Sequence, residues 1–230
     1  MKTKLYFKIS SLVLFLFFGL QLHAQISYGV KAGVHLGNVN LDGLSKNSLP
    51  IKTKAFIGET FGVFADIPFS RQFSFQPEIN YTAKGFQFSE GIDLGELGLP
   101  FDLRFTARTK VNYIDIPLLL KYKIPTGGGI EPYLLAGPSI NYLSSANFKV
   151  RANFITDITA LNMDIPLGGV NRVNVSGVLG AGVALPVGSG KIMLDARFLR
   201  DFSNTIKTPI IDVAAKNTGF AFNIGYALGF

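Results

Sequence analysis

Period-two alternation is the feature that most limits what this chain can fold into. Its last segment, TGFAFNIGYALGF (residues 218–230), puts Phe220, Phe222, Ile224, Tyr226, Leu228 and Phe230 on one parity. Ala221, Asn223, Gly225, Ala227 and Gly229 take the other. A strand patterned this way has different surroundings on its two faces. The pattern recurs in ISYGVKAGVHLG, FIGETFGVFADIP and FSFQPEINYTAKG, and eight strands are expected: 26–37, 56–68, 73–85, 105–122, 132–144, 172–185, 191–203 and 218–230. Segment 132–144 is apolar on both parities. No helical 3.6-residue period runs long enough to compete.

The connections alternate in length. Residues 39–53, 89–104, 145–171 and 204–217 are long, whereas 68–72, 123–131 and 186–190 are short and carry turn residues such as IPTGGGIEP and PVGSG. That rhythm belongs to outer-membrane barrels, with long extracellular loops and short periplasmic turns. The termini then fall on the periplasmic side. Residues 145–171, with Phe148, Lys149, Arg151 and Phe154, are expected to continue the sheet above the membrane; a surface-binding hairpin is the alternative.

Residues 1–24 read as a secretory signal peptide. Lys2, Lys4 and Lys8 precede the short apolar run LVLFLFFGL, and cleavage is expected between Ala24 and Gln25. Residues 25–230 then form one domain of 206 residues. Losing three lysines lowers the formal charge from +7 to +4. With no Lys/Arg run, nucleic acid is not an expected partner. The chain has no cysteine, so neither a disulfide framework nor a lipid-anchored cysteine is available. No apolar stretch after residue 24 is long enough for a spanning helix. A membrane crossing must therefore use strands.

Volume decides which face meets lipid. An eight-stranded barrel has an interior only wide enough for side chains to fill it. The Phe-, Tyr-, Ile- and Leu-rich parity is too bulky for that space, whereas the Gly-, Ala-, Ser- and Asn-rich parity fits. The expected fold is all-β: an eight-stranded antiparallel up-and-down transmembrane barrel, its last strand paired with its first because hydrocarbon tolerates no open edge. Tyr28, Tyr122 and Tyr226 are placed for an aromatic girdle at the short-turn rim. Tyr226, Leu228 and Phe230 form a C-terminal pattern similar to the signal that such barrels present to the barrel assembly machinery. Pro77, Pro117 and Pro138 fall inside strands and are expected to make bulges or bends. An open periplasmic sandwich would accommodate them too, but not the C-terminal pattern.

The inward parity carries Lys31, Lys84, Lys121 and Arg197 against Asp66, Glu78, Asp115 and Asp195. Four charges of each sign in a narrow lumen suggest a plug of ion pairs rather than an ion-selective path. His35, the only histidine outside the signal, sits between Gly33 and Gly37 on the lumen parity. A lipid-acting enzyme would need it as a base for a hydroxyl nucleophile. No nucleophile elbow, HExxH pair, phosphate loop or metal-spaced cluster occurs, so no enzymatic activity, cofactor or metal is expected.

FSFQPEINYTAKG, VNYIDIPLLLKYKI, PYLLAGPSINYL and VLGAGVAL resemble, in that order, segments of the PorT-like outer-membrane β-barrel family of Bacteroidota. The resemblance spans roughly Ile26 to Phe230 and implies an eight-stranded barrel of the cell outer membrane. Some relatives serve type IX protein secretion. The expected protein is a monomeric structural or surface-binding barrel among outer-membrane lipid and lipopolysaccharide. The alternatives are a small porin-like channel, an accessory barrel of type IX secretion and, last, a lipid-modifying enzyme.

Overall fold

The computed structural model describes residues 26–42, 56–93, 102–153, 157–164, 172–202 and 214–229. They form nine antiparallel strands: β1 (Ser27–Asp42), β2 (Phe56–Pro68), β3 (Phe73–Asp93), β4 (Asp102–Lys123), β5 (Glu131–Asn153), β6 (Asp157–Asp164), β7 (Val173–Val187), β8 (Gly190–Asp201) and β9 (Ala214–Gly229). Eight of them close a ring in the order β1-β2-β3-β4-β5-β7-β8-β9, and β9 pairs back onto β1 from Ser27↔Gly229 to Asp42↔Ala214. Among the described residues the shared span of the ring has every strand paired on both sides, as hydrocarbon requires. β6 stands outside the ring and pairs only with the far half of β5.

All eight expected strands are present, within a few residues at the short-turn end. Three short connections lie at that end, and the tightest, between Val187 and Gly190, places Gly188 at φ 61°, where glycine avoids the Cβ clash. At the other end the strands run further than alternation alone indicated. β3 continues to Asp93, and β5 runs to Asn153 with β6 paired beside it, the continuation of the sheet expected within residues 145–171.

The prolines do not make the expected bulges. Across β2–β3, β3–β4 and β4–β5, rungs are missing beside Pro77 and Pro117, yet the pairing resumes in the same register on either side. A proline removes one ladder donor without adding a residue, so it opens a gap and shifts nothing. The register shifts fall elsewhere, at Asn112/Tyr113 and at Val150/Arg151.

Within the ring, large apolar side chains face outward. Val30, Val63, Ile79, Leu120, Leu134, Leu179, Leu194, Phe222 and Ile224 are all exposed. The lumen is less uniformly small than the alternation implied. Phe64, Leu119, Tyr133, Leu135, Val178 and Met193 form a buried cluster inside. Glycines on neighbouring strands make room for them: a Cβ on Gly29 would lie 2.2 Å from the Phe64 ring, and one on Gly182 would lie 2.6 Å from the Tyr133 ring. Large-against-glycine packing lets a narrow barrel hold aromatic rings and still close.

The polarity of the wall inverts where β3, β4 and β5 rise past the ring. On β4, Ile114, Ile116, Leu118 and Leu120 are exposed on the outward parity, whereas Asn112, Lys110, Arg108 and Thr106 continue that parity upward. β5 changes likewise, from Ile140 and Tyr142 to Ser145, Asn147, Lys149 and Arg151, its parity reset by the bulge beside Ser144. On the inner parity, Asp115 gives way to Tyr113, Val111, Thr109 and Ala107, which stand opposite Leu143, Ala146, Phe148 and Val150 in turn. Leu161 and Met163 of β6 stand opposite Val150 and Phe148. Such a sheet is built for lipid outside in its lower part and water outside in its upper part.

Candidate functional site

All eight charged residues that the sequence assigned to the lumen come together there, in layers. Nearest the short-turn end, Lys121 of β4 donates to Asp66 of β2 at 2.8 Å and lies 4.4 Å from the Tyr133 ring centroid. Lys123 approaches the same carboxylate at 3.6 Å. In the middle layer, Glu78 of β3 accepts from Lys31 of β1 and, at 2.9 Å, from Arg197 of β8. The guanidinium also makes a two-bonded fork onto Asp195, at 2.7 and 3.0 Å. Further up, Lys84 meets Asp115 at 3.4 Å and lies 4.8 Å from the Tyr113 ring.

Neutral groups complete the middle layer. Gln76 donates to Glu78 at 2.7 Å and Asn80 at 3.0 Å, while Asn223 donates to Asp195 at 2.7 Å and Tyr133 at 3.3 Å. Burying a charge is expensive unless it is paired and its remaining lone pairs are bonded. Here each carboxylate of that layer has three or more partners. Alternation had placed Gln76, Asn80 and Asn223 on the lumen parity without showing whom they would meet. Tyr133 gave no such signal, because its strand is apolar on both faces.

Side chains reaching from β1, β3 and β8 thus meet across the lumen, and Glu78 is 1% exposed. A vestibule of about 160 Å3 opens at the short-turn end, bordered by Asp66, Lys121, Glu131, Tyr133 and Lys191. Above the middle layer a separate void of about 20 Å3 touches His35, Thr60, Asn80, Asp115 and Arg197. That is room for about one water. His35 is buried inside the lumen and its Nδ1 has no protein partner.

The three tyrosines face outward near the short-turn rim. Tyr28 is exposed, Tyr226 donates to the Val187 carbonyl at 3.3 Å, and the Tyr122 ring lies 5.0 Å from Phe73. Phe69 stacks on Phe73 at 6.3 Å and joins this group; it lies in a turn, where alternation gives no cue. Tyr226 and Leu228 belong to β9. Ala24, Gln25, Phe154 and Phe230 lie outside the described residues.

A closed antiparallel ring with an apolar exterior and an ion-paired interior defines an outer-membrane type β-barrel. Residues 20–207 match the outer membrane protein beta-barrel domain family, and the chain belongs to it. No curated protein matches the chain. Among solved structures it is similar to Ail, the attachment invasion locus protein of Yersinia pestis, at 14% identity and TM-score 0.38, covering 89% of this chain and 99% of that one. It is also similar to the outer membrane protein AlkL, at 12% identity and TM-score 0.44 over 90% of each chain. OprG of Pseudomonas aeruginosa stands at 11% and 0.40, covering 90% of this chain and 97% of that one.

Proposed function

We propose that this outer-membrane barrel is a non-conducting, non-enzymatic monomer that anchors an extended β3–β6 sheet at the cell surface. The observation that carries this reading is the middle layer. Glu78, Lys31, Arg197 and Asp195 meet across the lumen between the vestibule and the void above it, which supports a lumen closed to ions. In a planar bilayer the purified protein is expected to give no stable single-channel steps. Large, reproducible steps would favour the diffusion-channel reading instead. A catalytic role is disfavoured by the position of His35, which is buried in the lumen, away from lipid.

Export through the signal at residues 1–24, assembly through Tyr226, Leu228 and Phe230, and extracellular placement of the long connections complete the proposal. The absence of cysteine makes orientation directly testable. Gly128→Cys, in a turn with open space around it, reports the short-turn end, and Met163→Cys, exposed on β6, reports the other. On intact cells an impermeant maleimide is expected to label the second and not the first. The resemblance of four segments to PorT-like barrels of Bacteroidota supports assistance to type IX secretion as a second reading. Its test is whether cargo export stops when the protein is lost.

A further inference from the structure

The outer face of the raised sheet carries cations in an arrangement that strands ordinarily avoid. Arg108 of β4 stands directly opposite Lys149 of β5, and Arg151 follows two residues along, opposite Thr106. Like charges placed directly across a strand pair repel and destabilise the sheet. Among the described side chains no carboxylate lies within ion-pair distance of these three, although Glu59 is near enough to Arg108 for the guanidinium to favour its ionised form. Lys110, by contrast, pairs with Glu59, and Asp164 accepts from Asn147 at 3.0 Å. Arg108 packs its guanidinium 4.6 Å from the Phe56 ring, and its Nε is buried without an acceptor.

Height above the membrane identifies what could balance them. The outward parity of β4 is apolar up to Ile114 and polar from Asn112 onward. At about 3.4 Å per residue and a strand tilt near 40°, Lys110 and Arg108 rise about 5 and 10 Å above the start of the polar zone. The headgroup layer is of roughly that thickness, and long basic side chains can bend toward it. The cations therefore continue, without a break, the wall that already faces lipid.

We infer that Arg108, Lys149 and Arg151 form a docking site for the phosphate-bearing headgroup of lipopolysaccharide in the leaflet beside the long connections. Guanidinium forks and phosphate oxygens match in geometry and charge, and one phosphate between Arg108 and Lys149 relieves their repulsion. The inference rests on the proposed orientation, which the cysteine-labelling experiment checks independently.

The test measures binding of lipid A to the purified, folded barrel in nanodiscs, with diphosphorylated and enzymatically dephosphorylated lipid A compared. The wild-type protein is expected to prefer the phosphorylated form by at least about tenfold, the scale of one charge-assisted hydrogen bond. Joint replacement Arg108→Gln, Lys149→Gln and Arg151→Gln should abolish that preference, whereas Arg71→Gln, at the opposite end, should leave it intact. Equal binding of the two lipid A forms by the wild-type protein would overturn the inference without any variant having to fold. Equal affinity for phosphatidylglycerol would overturn the assignment to lipopolysaccharide, and so would loss of the preference in Arg71→Gln.

Discussion

Glu78 shows how much a single side chain can hold in a narrow lumen. It accepts from Lys31, Arg197, Gln76 and Asn80, drawn from three strands. Removing one member of a buried pair leaves the other charge uncompensated, so Glu78→Ala should destabilise the barrel by about 3–5 kcal/mol. Urea unfolding in lipid vesicles, followed by the shift in gel mobility between folded and heated protein, measures this. On the outside, Phe222→Arg should cost about 2–4 kcal/mol near the bilayer midplane. An unchanged midpoint for Phe222→Arg would mean that the position does not face hydrocarbon. Inside and outside positions were legible as parity alone. The partners of Glu78 were not, because cross-lumen contacts depend on the strand order and stagger of the closed ring.

At the scale of elements, β6 is the strand that the ring does not need. It pairs with β5 alone, over Asn147–Asn153. Replacing residues 149–163 by a short glycine-serine turn is therefore expected to leave the heat-modifiable gel shift intact. Loss of the shift would show that the hairpin takes part in closure. The tight turn between β7 and β8 makes the opposite case. Gly188→Val would force a β-branched residue into positive φ, a strain of about 1–3 kcal/mol. A lower unfolding midpoint, with the barrel still formed, is the expected reading. Strand cores were legible because the membrane imposes alternation. Strand ends were not, since above the membrane water reverses the pattern: Lys110 and Arg108 follow Ile114 on one parity. The bulges expected at the prolines failed for a related reason. A missing donor and an inserted residue look alike in sequence, and only pairing tells them apart.

The whole molecule follows from one division of surroundings. Lipid takes the large apolar side chains of the ring, the lumen takes the charges with a few rings fitted against glycine, and the raised sheet reverses both preferences. Closure of β1 on β9 makes the division continuous round the ring. The chain contains no tryptophan, so a single introduced indole reports its surroundings without background. Ile79→Trp and Phe222→Trp place it on the outward wall, and Tyr133→Trp places it in the lumen at a position of similar size. In bilayers of brominated phospholipid, the first two are expected to lose most of their fluorescence and the third to keep it. Strong quenching at position 133 with none at 79 and 222 would contradict the account.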